Sequence, residues 1–293
     1  MRQRLKIAFV VVLVLANAGL LFLLKEKSDD SRAETAKASP VAPSTSATSA
    51  TPEPESSSAP GGEQGLAVAG DDAIFRIYGG SCRGKEGAGI SVSTDSGATF
   101  DDVTLPARIR AVFTLTAKDA KTLDLVAAGR KCEPLRFAST DGGSTWEAAE
   151  GADVWFLDQQ RNLTAPVGKV DPGCTEIQIL SAVDAGSARV LCASGTVLTS
   201  NDGGKTWTNV GSLGGVKAAA YLSKRQGYAL APDGGCPTGT YSTVDAGRNW
   251  TSTGCLDAAP ARALAANQDL LAAIVGDSIY ISEDAGRNWR RTS

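Results

Sequence analysis

The order of apolar and polar residues divides the chain into three unlike stretches. Residues 7–24 form an 18-residue run without a charge, in which Asn17 is the only polar interruption. As a helix rising about 1.5 Å per residue it would be about 27 Å long, close to the hydrocarbon thickness of a bilayer. From Lys25 to about Gly65 the chain is mostly Ser, Thr, Ala, Pro and Glu, with no aromatic residue. Such a stretch buries too little apolar area to offset the entropy of ordering, so it reads as a disordered stalk. Beyond it, short β-type runs recur at residues 73–78, 111–116, 176–180, 189–192 and 277–282. No segment after residue 24 carries a convincing 3.6-residue apolar period, so residues 66–293 are expected to be all-β.

Arg2, Arg4 and Lys6 precede the apolar run, and Lys25, Glu26 and Lys27 end it. Basic residues on the N-terminal side hold that end in the cytoplasm. The expected protein is therefore single-pass in the cell membrane. Residues 1–6 form a cytoplasmic tip, 7–24 a transmembrane signal anchor, 25–65 the stalk, and 66–293 an extracytoplasmic domain. A cleaved signal peptide is the competing reading, because Ala16-Asn17-Ala18 offers a small-x-small site. Cleavage there would leave an apolar segment, Leu20 through Leu24, at the new N-terminus. The run also exceeds the about 7–15 residues of a cleaved apolar region, so the anchor is preferred. The stalk reads as a plain tether, with a glycosylated or wall-crossing spacer as the alternative. Its roughly 40 residues would reach about 35 Å root-mean-square as a flexible coil.

The strongest signal lies in the third stretch. Five octapeptides share one spacing: a hydroxyl residue, Asp two positions on, Gly two further, and an aromatic three further. They are Ser93 with Asp95, Gly97 and Phe100; Ser139 with Asp141, Gly143 and Trp146; and Ser200 with Asp202, Gly204 and Trp207. Thr243 with Asp245, Gly247 and Trp250, and Ser282 with Asp284, Gly286 and Trp289, complete the set. One such match is weak evidence, whereas five in register are an internal repeat.

Each residue type has a task in a tight hairpin. The Asp carboxylate accepts N–H bonds inside the turn and the hydroxyl supports it. Gly supplies a positive φ, and the aromatic re-enters the next strand to pack between sheets. These positions are expected to be structural, with the Trp rings buried. A calcium loop is the functional alternative, but it takes several oxygen ligands plus a distal Glu, and each octapeptide offers one carboxylate. Successive Asp residues are 46, 61, 43 and 39 apart, which suits one four-stranded blade per repeat. Five blades are expected, or six if the excess at roughly residues 153–173 belongs to a blade without an octapeptide rather than to a long loop. Trp155 and Phe156 in that excess are either packed core or a ligand platform.

Through these octapeptides the chain resembles the Asp-box (BNR) repeat proteins over about 230 residues, everything after the stalk. The repeat occurs in β-propellers such as sialidases, sortilin-type receptors, xyloglucan hydrolases and the photosystem II assembly-factor family. The Asp-Gly-Gly-x-Thr-Trp forms around Asp141 and Asp202 are most similar to the last of these. The resemblance implies a β-propeller of four-stranded antiparallel blades, with each octapeptide between third and fourth strands, away from the binding face. It implies less about function, because the motif serves structure.

Two kinds of function remain. One is a non-enzymatic binding or scaffold module, which in the assembly-factor resemblance helps to build or stabilise a membrane complex. The other is a sialidase-like glycoside hydrolase. Phe75-Arg76-Ile77 resembles the Phe-Arg-Ile-Pro of sialidases, whose Arg grips the substrate carboxylate, but Tyr78 replaces the Pro. The further Arg residues, the Tyr–Glu pair and the acid–base Asp of that family find no match residue by residue. Arg76 as a strand residue paired with a local carboxylate is the plainer alternative. No catalytic residue is assigned.

Composition narrows the chemistry. The chain has no His, which removes Ser–His and Cys–His nucleophiles, His-ligated metals and imidazole acid–base work. Its 29 Lys+Arg against 32 Asp+Glu give a net charge of −3, unlike the basic stripe of a nucleic-acid binder. No phosphate loop or metal cluster is visible, so no cofactor or metal is expected. The expected partner is a protein or cell-envelope component. Arg83, Lys85, Arg130 and Lys131 fall between the second and third strands of the first two blades. If those blades are neighbours, the four cations gather opposite the octapeptides and favour an acidic partner; otherwise they are solvated loop charges. The six Cys residues all follow the anchor, in a compartment expected to be oxidising, and no Cys-x-x-Cys spacing points to zinc or redox work. The blade layout points to bridges Cys82–Cys132, Cys174–Cys192 and Cys236–Cys255, all on the face opposite the octapeptides.

Overall fold

The computed structural model describes residues 64–70, 72–151 and 153–292. The expected anchor and the stalk up to residue 63 lie outside the described residues. Gln64 and Gly65, assigned to the stalk from sequence, instead begin the first strand, where they pair with Tyr78 and Ile77. No helix among the described residues is long and apolar enough to cross a membrane.

The described chain forms six antiparallel sheets, each from one contiguous segment. The first contains β1 (Gln64–Val68), β2 (Ile74–Tyr78), β3 (Gly89–Ser93) and β4 (Asp101–Val103). The second contains β5 (Ala111–Ala117), β6 (Leu123–Ala128), β7 (Pro134–Ser139) and β8 (Glu147–Ala148). The third has three strands, β9 (Phe156–Leu157), β10 (Leu163–Ala165) and β11 (Gly168–Val170). The fourth is β12 (Ile177–Asp184), β13 (Ser187–Cys192), β14 (Thr196–Ser200) and β15 (Thr208–Ser212). The fifth is β16 (Ala218–Tyr221), β17 (Gly227–Asp233), β18 (Cys236–Thr243) and β19 (Thr251–Leu256). The sixth is β20 (Ala261–Ala266), β21 (Leu271–Val275), β22 (Ser278–Ser282) and β23 (Arg290–Arg291).

The innermost strands meet around a ring: β1 lies against β5 and β20, β5 against β9, β12 against β16, and β16 against β20. Sequential meanders packed in a closed ring make a β-propeller. Six blades replace the five expected. The excess before Asp202 is the third sheet, which has no octapeptide to announce it.

That third blade is out of phase with the others. Trp155, just before β9, donates from Nε1 to Asp184 O at the far end of β12 (3.0 Å), whereas Arg161, just after β9, donates from Nε to Ile177 O at its near end (3.0 Å). β9 therefore runs opposite to β12, and its three strands correspond to the second, third and fourth of an ordinary blade. β9, the counterpart of a second strand, takes the innermost place.

The core is divided among the seams of the ring rather than held at its centre. Five apolar clusters fill five seams, and each takes in the octapeptide aromatic of the later blade: Trp146, Trp207, Trp250, Trp289 and, where the sixth blade meets the first, Phe100. The seam between the second and third blades has no such cluster among the described residues. Phe113 of β5 and Phe156 of β9 stack there, centroids 5.5 Å apart and 4° from parallel. The octapeptide rings are half-buried, not fully buried as expected, because each caps the outer end of its seam.

Candidate functional site

The two faces of the ring differ in kind. On one, all five octapeptides join the third and fourth strands of their blades. In the first, Ser93 Oγ donates to Asp95 Oδ1 (2.7 Å) and accepts from Gly97 N (2.8 Å). Thr99 donates to the same carboxylate from N (2.9 Å) and Oγ1 (2.7 Å). The other four repeat this arrangement, with Asn249 and Asn288 giving a side-chain amide where the others give a hydroxyl. These bonds from Thr or Asn, with the Ser or Thr hydroxyl added, hold each Asp at about 2. Every carboxylate is occupied by its own hairpin, which makes this a structural device.

On the opposite face a cavity of about 290 Å³ opens on the ring axis. Innermost strands of all six sheets contribute to its wall, and Phe113 and Phe156 form one apolar side. Its ionisable side chains, among the described residues, are Asp158, Arg161, Lys217 and Arg262. Asp158 is spent on its own loop, accepting from Gln160 N (2.9 Å), Asn162 N (2.9 Å) and Asn162 Nδ2 (2.9 Å). Arg161 donates to the carbonyls of Ile177 and Gln178, which fixes it between the third and fourth blades. Arg262 lies 3.5 Å from Asp277, an exposed pair of small energetic weight. Lys217 is exposed at the rim. The arrangement suits an anionic group entering an otherwise apolar and amide-lined mouth.

The phase shift of the third blade creates part of this wall. Because β9 runs in reverse, its turn to β10 emerges at the mouth rather than on the octapeptide face. From there Gln159 spans to the first blade: Nε2 donates to Gly80 O (3.0 Å) and Oε1 accepts from Cys82 N (2.8 Å).

The expected binding residues lie outside the cavity lining. Arg83 and Lys85 are exposed on the β2–β3 loop, and Arg130 and Lys131 on the β6–β7 loop. The two loops start from neighbouring positions, because Ala111 pairs with both Gly80 and Ala128. Glu86 and Glu133 share the loops, and Glu133 Oε2 accepts from Lys131 N (2.8 Å), so the loops carry mixed charge. Trp155 proves to be core, edge-on to Trp207 at 5.8 Å, whereas Phe156 lines the cavity. Arg76 does not line the cavity: its guanidinium lies over the Tyr78 ring, 5.1 Å from the centroid, with Nε buried and unpartnered. A local carboxylate partner for it is replaced by that ring.

Cys174–Cys192 and Cys236–Cys255 are disulfides, with Cα separations of 5.5 and 5.8 Å. Cys236 opens β18 and Cys255 lies within β19. The Cys82–Cys132 bridge is absent and both are free thiols. Burial pushes the Cys82 thiol up to about 12, with the Cys132 hydrogen bond adding to the rise and Arg110 and Arg83 opposing it.

Sequence reasoning missed the turn carrying Gln159 and Arg161, because nothing in its composition marks a reversed strand. It also missed Gly211 and Gly254, where an added Cβ would strike the backbone of the next blade's octapeptide, at Gly247 and Gly286. A signal existed there: both glycines stand four residues after an octapeptide Trp.

No protein-family model matches the sequence, and no curated protein matches it. Solved structures similar to the chain include YCF48 bound to a D1 peptide, at 17% identity and a TM-score of 0.33, covering 78% of this chain and 66% of that one. A GH74 enzyme from Niastella koreensis is similar at 15% identity and a TM-score of 0.45, over 78% of this chain and 46% of that enzyme. YCF48 from Cyanidioschyzon merolae is similar at 14% identity and a TM-score of 0.32, over 78% and 85% of the two chains. This chain thus spans less than half the length of the hydrolase.

Proposed function

We propose that this chain is a non-enzymatic binding or scaffold module whose axial mouth receives an acidic segment of a protein or cell-envelope component. The cavity carries the proposal: Lys217 and Arg262 stand in its wall, and Asp158, the one carboxylate among its described lining residues, is already committed to its own turn. Arg83, Lys85, Arg130 and Lys131 on the same face supply the wider field that draws such a ligand in. In this reading the five octapeptides are Asp-box repeats, supported by their common hydrogen-bond pattern. Residues 7–24 anchor the protein in the cell membrane and the stalk displays the ring outside.

Glycoside hydrolysis is the weaker reading. It uses two carboxylates flanking the scissile bond, and among the described residues of the cavity wall Asp158 is the one carboxylate. Arg76, the residue that suggested a sialidase, is not part of that wall.

The test is binding of a fluorescent hexaglutamate peptide to the full chain in detergent. Affinity is expected to fall at least tenfold in the Lys217→Glu/Arg262→Glu variant and to weaken with added salt. Binding unchanged by both would overturn the proposal, as would turnover of sialosides or xyloglucan by the wild-type chain.

A further inference from the structure

Among the described residues, the seam between the second and third blades lacks the apolar cluster that fills the other five, and a strap crosses it at the cavity mouth. That strap is the β2–β3 loop of the first blade. It pairs with the start of β5 through Gly80 and Ala111, and Val112 N donates to Gly79 O (2.8 Å). Its far side is held by Gln159 of the third blade, through Gly80 O and Cys82 N. Gly79, Gly80 and Gln159 all line the cavity. The strap therefore runs from the first blade, over the second, to the third, on hydrogen bonds alone.

Cys82 sits on this strap and Cys132 on the β6–β7 loop, and both loops leave from partners of the same residue at the start of β5: Ala111 pairs with Gly80, two residues before Cys82, and with Ala128, four before Cys132. The other two disulfides have at least one sulfur in a strand, at Cys192, Cys236 and Cys255. Cys82 and Cys132 both lie in solvated loops, half-exposed, and Cys132 has a φ of 65° in a turn closed by Cys132 N to Gly129 O (3.0 Å). Disulfides in such exposed loops open and close more readily than those locked in strands.

We propose that Cys82 and Cys132 are a redox latch, whose closure ties the strap to the second blade and sets the freedom of Gln159 at the cavity mouth. Closure needs a disulfide donor. With oxidised glutathione, the two thiols lose their protons and two electrons, a Cys82–Cys132 bond forms, the donor's S–S bond breaks, and two molecules of reduced glutathione carry off both. The consequence for ligand binding rests on the function proposed above; the latch itself does not.

The full chain in detergent is equilibrated with defined ratios of reduced and oxidised glutathione and mapped by non-reducing peptide analysis. A Cys82–Cys132 peptide is expected to appear on oxidation and to disappear at ratios that leave Cys174–Cys192 and Cys236–Cys255 intact. Amide exchange over residues 79–88 and 156–162 is expected to slow at least fivefold on oxidation, and not in Cys132→Ser. Glutathione adducts without the internal bridge, or a bridge that leaves exchange unchanged, would overturn the latch. Hexaglutamate affinity is expected to differ at least threefold between the two states. Equal affinity in both, with the bridge formed, would overturn the effect on binding. Absence of peptide binding in both states would instead strike the function proposed above, and mapping with exchange would still decide the latch.

Discussion

Gly97 of the first blade packs against Thr292, beyond the last strand of the sixth, so close that an added Cβ would lie 2.8 Å from Thr292 Oγ1. The same octapeptide glycine meets the preceding blade at every other repeat: Gly143 meets Val103, Gly204 meets Ala165, Gly247 meets Val197 and Gly286 meets Thr240. The ring thus closes by the same side-on contact that joins its interior blades, with no strand exchanged between its ends.

This contact predicts an order of damage. Gly97→Ala must hold a φ of 81°, at about 1–2 kcal/mol, but what it meets is the Thr292 side chain, which can turn aside. Gly254→Ala would meet the backbone of Gly286 and Arg287, which cannot shift without opening a seam. Its cost should be about 2–4 kcal/mol. Urea denaturation should rank Gly254→Ala as the worse of the two; the reverse order would mean that the closing seam is the stiffer one.

The residue after each octapeptide Asp carries a second left-handed backbone. Gly142 and Gly203 hold it without strain, but Ser96, Ala246 and Ala285 have φ values of 58°, 70° and 61°. An L side chain there costs about 1–2 kcal/mol, while Gly adds up to about 1 kcal/mol of unfolded-chain entropy to be lost. Ala246→Gly and Ala285→Gly should therefore stabilise by about 0.5 kcal/mol each. Gly203→Ala, where no atom lies closer than 3.7 Å to the new Cβ, should destabilise by a similar amount through backbone strain alone. Opposite signs in thermal melts check this.

The legible part of this architecture was whatever repeats. Five hairpins, their Asp and Gly roles and the all-β class follow from spacing, because each octapeptide solves one local hydrogen-bonding problem. The third blade was only half legible: the excess at roughly residues 153–173 admitted a blade without the motif, but three short strands also look like a long loop, and strand direction leaves no mark on composition. The cavity was hidden for the same reason, since Arg161 and Gln159 acquire their positions only from that reversal. Arg189 was equally invisible. It is buried between the fourth and fifth blades, over the Tyr221 ring at 5.5 Å and bonded to the carbonyls of Ala188 and Lys224. In sequence it is one more basic residue in a strand.

The octapeptide tryptophans divide by what their ring nitrogens do. Trp146 Nε1 donates to Thr104 O (2.7 Å) and Trp289 Nε1 to Thr240 Oγ1 (2.9 Å), whereas Trp207 and Trp250 have buried, unpartnered Nε1 atoms. Replacing Trp by Phe at 146 or 289 should cost about 1 kcal/mol more than at 207 or 250, one hydrogen bond's worth. Replacement by Ala should cost about 2–4 kcal/mol at all four, less than a fully buried ring would, because each ring is already partly exposed. Equal costs for all four Phe variants would show that the nitrogen bonds are energetically idle.

Acid should attack the ring through its hairpins. The five octapeptide carboxylates sit at about 2, against 3.8 for an ordinary Asp, and a folded value below the unfolded one stabilises wherever the group is ionised. That contribution is complete above about pH 4 and is lost as pH falls through 4 toward 2. Stability should therefore stay level from pH 7 to about 5 as far as these groups decide it, then drop with the uptake of more than one proton. The leading causes are hydrogen bonds from Thr and Asn, not neighbouring charges, and short-range bonds to neutral donors are little screened by salt. Denaturant midpoints measured from pH 5 to 2 should fall with nearly the same slope in low and high salt. In Asp202→Asn/Asp245→Asn the slope should be shallower and stability at pH 7 lower. A slope that collapses with added salt would show that ion pairs, not the hairpins, govern acid unfolding.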